Sequence, residues 1–277
     1  MVNTSMAVQT PLPRFRKPPV SEVAVGVQFG TPTLNPVHLG LFYQRVRAKF
    51  PNIQVQPPLS PASETFGPAP PVPFAFPMIG ALSPRLWFVS DDDTSLIQLQ
   101  ADRLIFNWRS GAEHSSYPHF DAVRTAFLSA LDDLEAVASS ENLGDVAVNQ
   151  CEVIYVNPLP TVATGVLASM PERVLRTWNR NPGKEWEEPL EDLSFNARYR
   201  LEDADGQPFG RLTVGLTSGW GSDGSPVFQL GLTARGVPRG AGRDGVIAFH
   251  EYAHQAIVRC FTGLTTPEMH ERWERYQ

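Results

Sequence analysis

The order of the predicted secondary-structure elements is the feature that most constrains the fold. Residues 22–29 alternate strictly between Val or Phe and small or polar side chains, which is typical of a half-buried β-strand. Asn35-Pro36 then opens a helix, since proline favours the first helical position. A meander of three strands follows, at 85–90, 95–100 and 103–109, with turn residues between the strands. A long helical pattern begins after Tyr117-Pro118.

The same order of elements returns in the second half of the chain. Residues 150–157 alternate as a strand, a short helical turn is predicted at 170–178, and a long helix is predicted at 244–261. Three further strands are predicted at 194–202, 210–218 and 226–235. We therefore expect an α+β fold with two repeats of strand, helix, three-strand meander and helix. The repeats would form one wide antiparallel sheet with the helices on one face.

This pattern divides the chain into three parts. We expect a flexible N-terminal tail at 1–20, a first repeat at 21–157 and a second repeat with the C-terminal helices at 158–277. Within the first repeat, the proline-rich loop at 51–84 must be extended, because proline is excluded from helix interiors and central strands. Its Phe66, Phe74 and Phe76 leave two interpretations open: an element that docks a partner, or a strap packed on its own domain.

Charge and cysteine usage exclude several classes of function. The net charge of −6 and the pI near 5.5 argue against a nucleic-acid-binding protein or one that binds anionic membranes. No apolar run approaches the roughly 20 residues of a membrane helix, and the N-terminus lacks the apolar core of a signal peptide. Cys151 and Cys260 each lie in an apolar run, as expected of buried thiols in a reducing compartment. We expect a cytoplasmic protein.

The sharpest catalytic pattern is H-E-x-x-H at 250–254. On a helix, His250 and His254 lie one turn apart and could bind one Zn²⁺, with Glu251 as general base. Glu271 or Glu274 could supply a third ligand. The pattern arises by chance in about one chain per hundred of this size, and His254 lies in an apolar stripe typical of a hydrogen-bonded core or boundary histidine. We therefore expect no stoichiometric zinc and little effect of His250→Ala.

A second candidate site is the sheet face turned away from the helices. If the apolar residues of strand 103–109 point to the helices, Arg103, Asn107 and Arg109 point away, and Arg198 and Arg200 do so in the second half. Such a face could bind an anionic ligand or a partner protein, because Arg offers a planar fork of donors. It could equally be the solvated face that is normal for antiparallel sheets. Phe74 and Phe76 of the proline-rich loop complete the binding candidates.

Several phrases of the sequence carry a resemblance to known proteins. They are residues 22–29, 84–90, 96–100, 102–109, 149–157, 253–259, 261 and 264–270. Together they resemble a sporadically distributed family of bacterial proteins of about this length, from about residue 20 onward. The resemblance implies a bacterial origin and a single full-length architecture, and it implies no catalytic residue because the family has no established activity. In that family the position of His254 is usually His, whereas those of His250 and Glu251 usually hold an apolar residue and Asp.

These observations favour a binding protein over an enzyme. We expect a non-enzymatic protein without a cofactor that recognises a partner protein or a small ligand, in a bacterial accessory or defence role. The alternative is a zinc-dependent hydrolase that uses His250, Glu251 and His254, with Glu274 as a further metal ligand.

Overall fold

A single antiparallel sheet runs through the part of the chain that the computed structural model describes, residues 11–66, 84–111, 116–160, 171–176, 178, 193–220 and 224–277. The elements are β1 (Glu22–Thr31), α1 (Pro36–Val46), β2 (Asn52–Gln56), β3 (Arg85–Val89), β4 (Ser95–Gln100), β5 (Arg103–Arg109), α2 (Phe120–Ser140), β6 (Ala147–Pro160), α3 (Pro171–Val174), β7 (Phe195–Glu202), β8 (Pro208–Trp220), β9 (Pro226–Gly236), α4 (Gly242–Leu264) and α5 (Pro267–Arg272). The strand order is β2-β3-β4-β5-β1-β6-β9-β8-β7. The predicted α+β class with one wide antiparallel sheet is therefore confirmed.

The centre of the sheet is the pairing of β1 with β6. Val25 lies opposite Phe106 of β5 on one side and opposite Val153 of β6 on the other. Moving outward from this pair, β1 is followed by β5, β4 and β3, and β6 is followed by β9, β8 and β7. The order of strands is therefore equivalent on the two sides, apart from the additional edge strand β2.

One face of the sheet is covered by the helices. α2 packs on β1 and β5, α4 packs on β6 and β9, and α1 packs on α2 and β3. Alternate residues of the central strands point to this side, because successive side chains of a strand face opposite ways. These strand residues and the helix stripes form one hydrophobic core, which includes Val25, Phe106, Phe127, Val153 and Phe249.

The structure adds one strand that the sequence pattern did not predict. β2 lies within the proline-rich loop and pairs with β3 at the edge of the sheet. Pro57 and Pro58 follow the strand directly, and an edge position agrees with the rule that proline is excluded from central strands. Phe74 and Phe76 lie outside the described residues.

The sheet face opposite the helices is not the uncovered surface expected from the sequence. Residues 59–66, which we name the strap, run across this face. The backbone N–H of Leu59 donates to Gln100 Oε1 at 2.9 Å, and Gln100 Nε2 donates back to the Leu59 carbonyl at 3.0 Å. Further along, the N–H of Ala62 donates to Gln28 Oε1 at 2.8 Å. This part of the proline-rich loop is therefore packed on its own sheet.

The strap also provides partners for two arginines of this face. Arg103 is only 5% exposed, and its guanidinium donates to Gln28 Oε1 at 2.5 Å and to the carbonyl of Ser60 at 3.1 Å. Glu64 forms an ion pair with Arg211 of β8 at 3.0 Å. A buried guanidinium without partners would be very costly, so these contacts tie the position of the strap to the burial of Arg103.

Buried amides extend the polar network along the same face. Asn107 is 3% exposed; it accepts from Gln98 Nε2 at 2.8 Å and donates to Glu22 Oε1 at 2.5 Å. On the β6 side of the central pair of strands, Glu152 of β6 forms an ion pair with Arg235 of β9 at 2.7 Å. The polar alternation predicted for this face is thus present, but its members largely bind one another rather than solvent.

The network makes a prediction about Gln28. Replacing it by Leu removes the acceptor shared by Arg103 and the N–H of Ala62, so a buried charge loses a partner. We expect Gln28→Leu to lower the free energy of unfolding by about 2–3 kcal/mol, as measured by urea denaturation. The matched control is Gln54→Leu, an exposed glutamine on β2, for which a change within about 0.5 kcal/mol is expected. Equal losses in both variants would show that the network is not stabilising.

Candidate functional site

A cavity of about 380 Å³ lies on the helix side of the sheet, between β6, the start of α2 and the second half of α4. Its wall is mainly apolar and aromatic and includes Phe15, Val20, Tyr117, Phe120, Tyr155, Ile257, Val258 and Phe261. This size and this lining are typical of sites for small organic molecules. A larger cavity of about 880 Å³ lies near the end of α2, but its arginine, Arg243, is already paired with Asp132 and Glu135.

The N-terminal segment forms one wall of the smaller cavity. Its backbone pairs with the C-terminal end of the chain: the N–H of Arg14 donates to the carbonyl of Gln277 at 3.3 Å, and that of Arg16 to the carbonyl of Glu274 at 3.2 Å. The Phe15 ring contacts Phe261 edge to face, with centroids 5.9 Å apart. Of the segment predicted as a flexible tail, 1–20, residues 11–20 are described and contact the C-terminal end of the chain, and residues 1–10 lie outside the described part of the chain.

Three polar side chains form a hydrogen-bond chain along the cavity wall, which we name the Tyr–Tyr–His chain. The hydroxyls of Tyr117 and Tyr155 lie 2.9 Å apart, and the Tyr155 hydroxyl lies 2.8 Å from His254 Nδ1. The alternation of β6 turns Tyr155 toward the helices. The His254 ring stacks on Phe120, with centroids 4.2 Å apart and an interplanar angle of 4°. Each member is thus held in one orientation.

Burial keeps the members of this chain neutral at pH 7. Burial raises the pKa of Tyr155 well above its usual value and raises that of Tyr117. It lowers the pKa of His254 to about 4, although the nearby carboxylates of Glu251 and Asp121 act in the opposite direction. The chain can therefore donate and accept hydrogen bonds, but it offers neither a phenolate nor an imidazolium.

His119, which lines the cavity directly before α2, has a strained backbone. Its φ of 68° and ψ of 156° fall in a region that is populated almost only by glycine. Such a conformation costs on the order of 1–3 kcal/mol and occurs most often at functional sites. It places His119 beside the Tyr117 ring, with centroids 5.7 Å apart. The strain is an independent sign that this end of α2 belongs to a site.

The structure separates the residues of the H-E-x-x-H pattern. His250 is fully buried, and its Nε2–H donates to the carbonyl of Gly26 at 3.1 Å. Glu251 accepts from Arg124 at 2.6 Å. The His254 side chain, unlike those of His250 and Glu251, lines the cavity. Among the described residues, no group of three or more His, Cys, Asp or Glu side chains could hold a metal ion.

His250 and Glu274 both lie in surroundings that differ from those predicted for this pattern. His250→Ala was expected to leave stability almost unchanged, but the His250 ring is enclosed in the core and packs edge to face on Phe127, with centroids 5.1 Å apart. Its removal would leave a cavity, which is destabilising. Glu274, the candidate third ligand, forms an ion pair with Lys17 and does not line the cavity that contains His254.

The candidates on the opposite sheet face do not form one site. Arg103 and Asn107 are buried in the polar network described above. Arg109 donates to the carbonyl of Asp93 at 2.8 Å. Arg198 and Arg200 are exposed on the edge strand β7. The five side chains are therefore spread from a buried network to the edge of the sheet.

Several residues of the cavity were missed at the level of sequence. The alternation of residues 150–157 places Tyr155 on the same face as Cys151 and Val153, but it does not assign Tyr117, Phe120 or the N-terminal segment to a site. The available signals were a tyrosine among the apolar residues of an alternating strand and the Tyr117-Pro118 step before a long helix. Neither signal indicates that the two tyrosines and His254 meet.

Comparison with known proteins does not identify a function for this cavity. No protein-family model, curated protein or solved structure matches the chain. The resemblance to a bacterial family therefore stays a prediction. Within the described ranges, no helix is both long and apolar enough to cross a membrane.

The buried histidines make a prediction about pH. Burial lowers the pKa of His250, like that of His254, to about 4, whereas an unfolded histidine titrates near 6.5. Below about pH 6.5 the unfolded state binds more protons than the native state. The free energy of unfolding should therefore fall between about pH 6.5 and 4, by up to about 1.4 kcal/mol per pH unit for each histidine.

The variant His250→Gln isolates this effect. It keeps an amide donor near Gly26 and removes one of the histidines whose pKa burial lowers, while His254 and His270 remain. We expect the fall in stability between about pH 6.5 and 4.5 to become shallower by up to about 1.4 kcal/mol per pH unit, as measured by urea denaturation at a series of pH values. An unchanged pH dependence in this variant would contradict a neutral buried His250.

Proposed function

We propose that this chain is a non-enzymatic binding protein whose ligand is a small organic molecule held in the cavity between α2, α4 and β6. The observation that carries the proposal is the convergence of aromatic walls and the Tyr–Tyr–His chain on one cavity of about 380 Å³. Sites for small molecules are usually lined by apolar and aromatic groups, with a few placed polar groups that orient the ligand. The strained backbone of His119 at the same cavity supports the proposal.

Binding is favoured over catalysis by the chemistry of the polar groups. Tyr117, Tyr155 and His254 are neutral and bonded to one another, so they are suited to orient a ligand rather than to attack it or to take up its charge. General acid–base catalysis works best with a group whose pKa lies near the working pH. The pKa values of these three residues are all shifted further from pH 7.

We further propose that the two halves of the chain are repeats of one unit. The equivalent strand order on the two sides of the β1–β6 pair supports this, as do the equivalent positions of α2 and α4 after the last meander strand of each half. By topology, β6 begins the second unit, so the boundary lies between α2 and β6.

We also propose that the protein acts in the cytoplasm of a bacterium, in an accessory or defence role. The cytoplasmic location is supported by the two cysteines, which are free, with Cys151 buried. The bacterial role rests on the resemblance in the sequence.

The small-molecule site is tested with 2-methylnaphthalene, an apolar probe of suitable size. We expect saturable one-to-one binding with a dissociation constant of about 0.1 mM, which corresponds to about 0.5 kcal/mol per heavy atom. Val258 lines the cavity one helical turn after His254, so Val258→Trp should fill the space and weaken binding at least about tenfold. The measurement is titration of the probe's own fluorescence.

The control is Val237→Trp, at an exposed valine outside the cavity. This variant should bind the probe as the unmodified protein does. Absence of saturable binding to the unmodified protein would refute the proposed function, and unchanged binding in Val258→Trp would place the site elsewhere.

A further inference from the structure

The His254 ring is fixed on two sides and open on a third. Phe120 stacks on one face of the ring, and Nδ1 is held by the Tyr155 hydroxyl at 2.8 Å. Nε2 makes no hydrogen bond to any residue that the structure describes, and the ring lines the cavity. The site therefore presents one in-plane polar atom, at a defined position, to whatever molecule enters.

The Tyr–Tyr–His chain can run in either direction. When Tyr117 donates to Tyr155 and Tyr155 donates to Nδ1, the proton of the imidazole is on Nε2, which then acts as a donor. When Nδ1 carries the proton, it donates to the Tyr155 hydroxyl, which in turn donates to the Tyr117 hydroxyl. Nε2 then becomes an acceptor. A ligand hydroxyl can accept in the first case and donate in the second. A ligand carbonyl or carboxylate can only accept a hydrogen bond, so it can bond to Nε2 only in the first case.

The charges around the cavity favour a neutral ligand. The charged side chains of its wall are Arg14 and Asp121, both exposed, and Asp121 is already paired with Arg124 at 2.9 Å. Glu251, one turn of α4 before the cavity, is paired with the same arginine at 2.6 Å. A charged ligand group placed against His254 would lose its hydration without gaining a buried counter-ion, which costs several kcal/mol.

The shape of the wall favours a flat ligand. Four aromatic rings, those of Phe15, Tyr117, Phe120 and Phe261, belong to the wall, and an aromatic ligand can pack against such rings by stacking or edge to face. We propose that the cavity binds a neutral, planar aromatic molecule that carries a hydroxyl group, and that this hydroxyl forms a hydrogen bond with His254 Nε2. This inference rests on the proposed small-molecule site and specifies the class of its ligand.

The test compares three probes with one ring system: 2-naphthol, 2-methylnaphthalene and 2-naphthoate. We expect 2-naphthol to bind about five- to tenfold more tightly than 2-methylnaphthalene, as one added hydrogen bond implies, and at least tenfold more tightly than the anionic 2-naphthoate. The variant His254→Phe keeps the stacking on Phe120 and removes the nitrogen. In this variant the preference for 2-naphthol over 2-methylnaphthalene should fall below about twofold, with the affinity for 2-methylnaphthalene retained.

The control is Tyr199→Phe, which removes an exposed hydroxyl outside the cavity and leaves the Tyr–Tyr–His chain intact; the preference should persist. If His254→Phe does not fold, His254→Met replaces it. Equal binding of 2-naphthol and 2-methylnaphthalene, tighter binding of 2-naphthoate, or a preference that survives the loss of His254 would overturn the inference and leave the site itself standing. Failure of all three probes to bind would overturn the proposed function as well.

Discussion

The antiparallel pairing of β1 with β6 is the contact on which the rest of the structure depends. It joins the two halves of the sheet, with Val25 opposite Val153, and it places α2 and α4 on the same face, where their side chains contact each other. The stacking of Phe120 on His254 crosses from one helix to the other at this line. The cavity therefore exists only because the two halves are joined, and its polar chain takes members from both of them.

The opposite face shows how a sheet can bury polar residues without a second layer of helices. Gln28 of the central strand accepts both from Arg103 and from the backbone of the strap. Each such bond contributes little net stability, but leaving one buried partner unsatisfied is costly. The network therefore acts mainly by excluding other arrangements: a shift of the strap by one residue would move the Ser60 carbonyl away from Arg103 and the N–H of Ala62 away from Gln28.

The sequence predicted the central strands and long helices well, because alternation, turn residues and apolar stripes are local signals. β2 was missed although Ile53 and Val55 alternate with polar residues, because the pattern is short and adjoins a proline-rich stretch. In the structure both side chains are exposed, at 49% and 72%, and the strand pairs with β3. The candidate functional site was harder to predict from the sequence. Spacing placed His250 and His254 correctly on one side of a helix, but only the tertiary structure shows that one bonds Gly26 and the other Tyr155.

The β1–β6 pair also has a kinetic consequence. Strands β3, β4 and β5 are joined by short turns, whereas β1 and β6 meet only after the chain between them has closed a long loop. Loop-closure entropy favours the local hairpins first. Until the central pair forms, the neighbouring edges of β1 and β6 expose unpaired backbone and a row of valines. Self-association during folding should therefore depend on how fast β1 and β6 pair. These two strands lie in the middle of the sheet, where the native structure leaves no edge exposed.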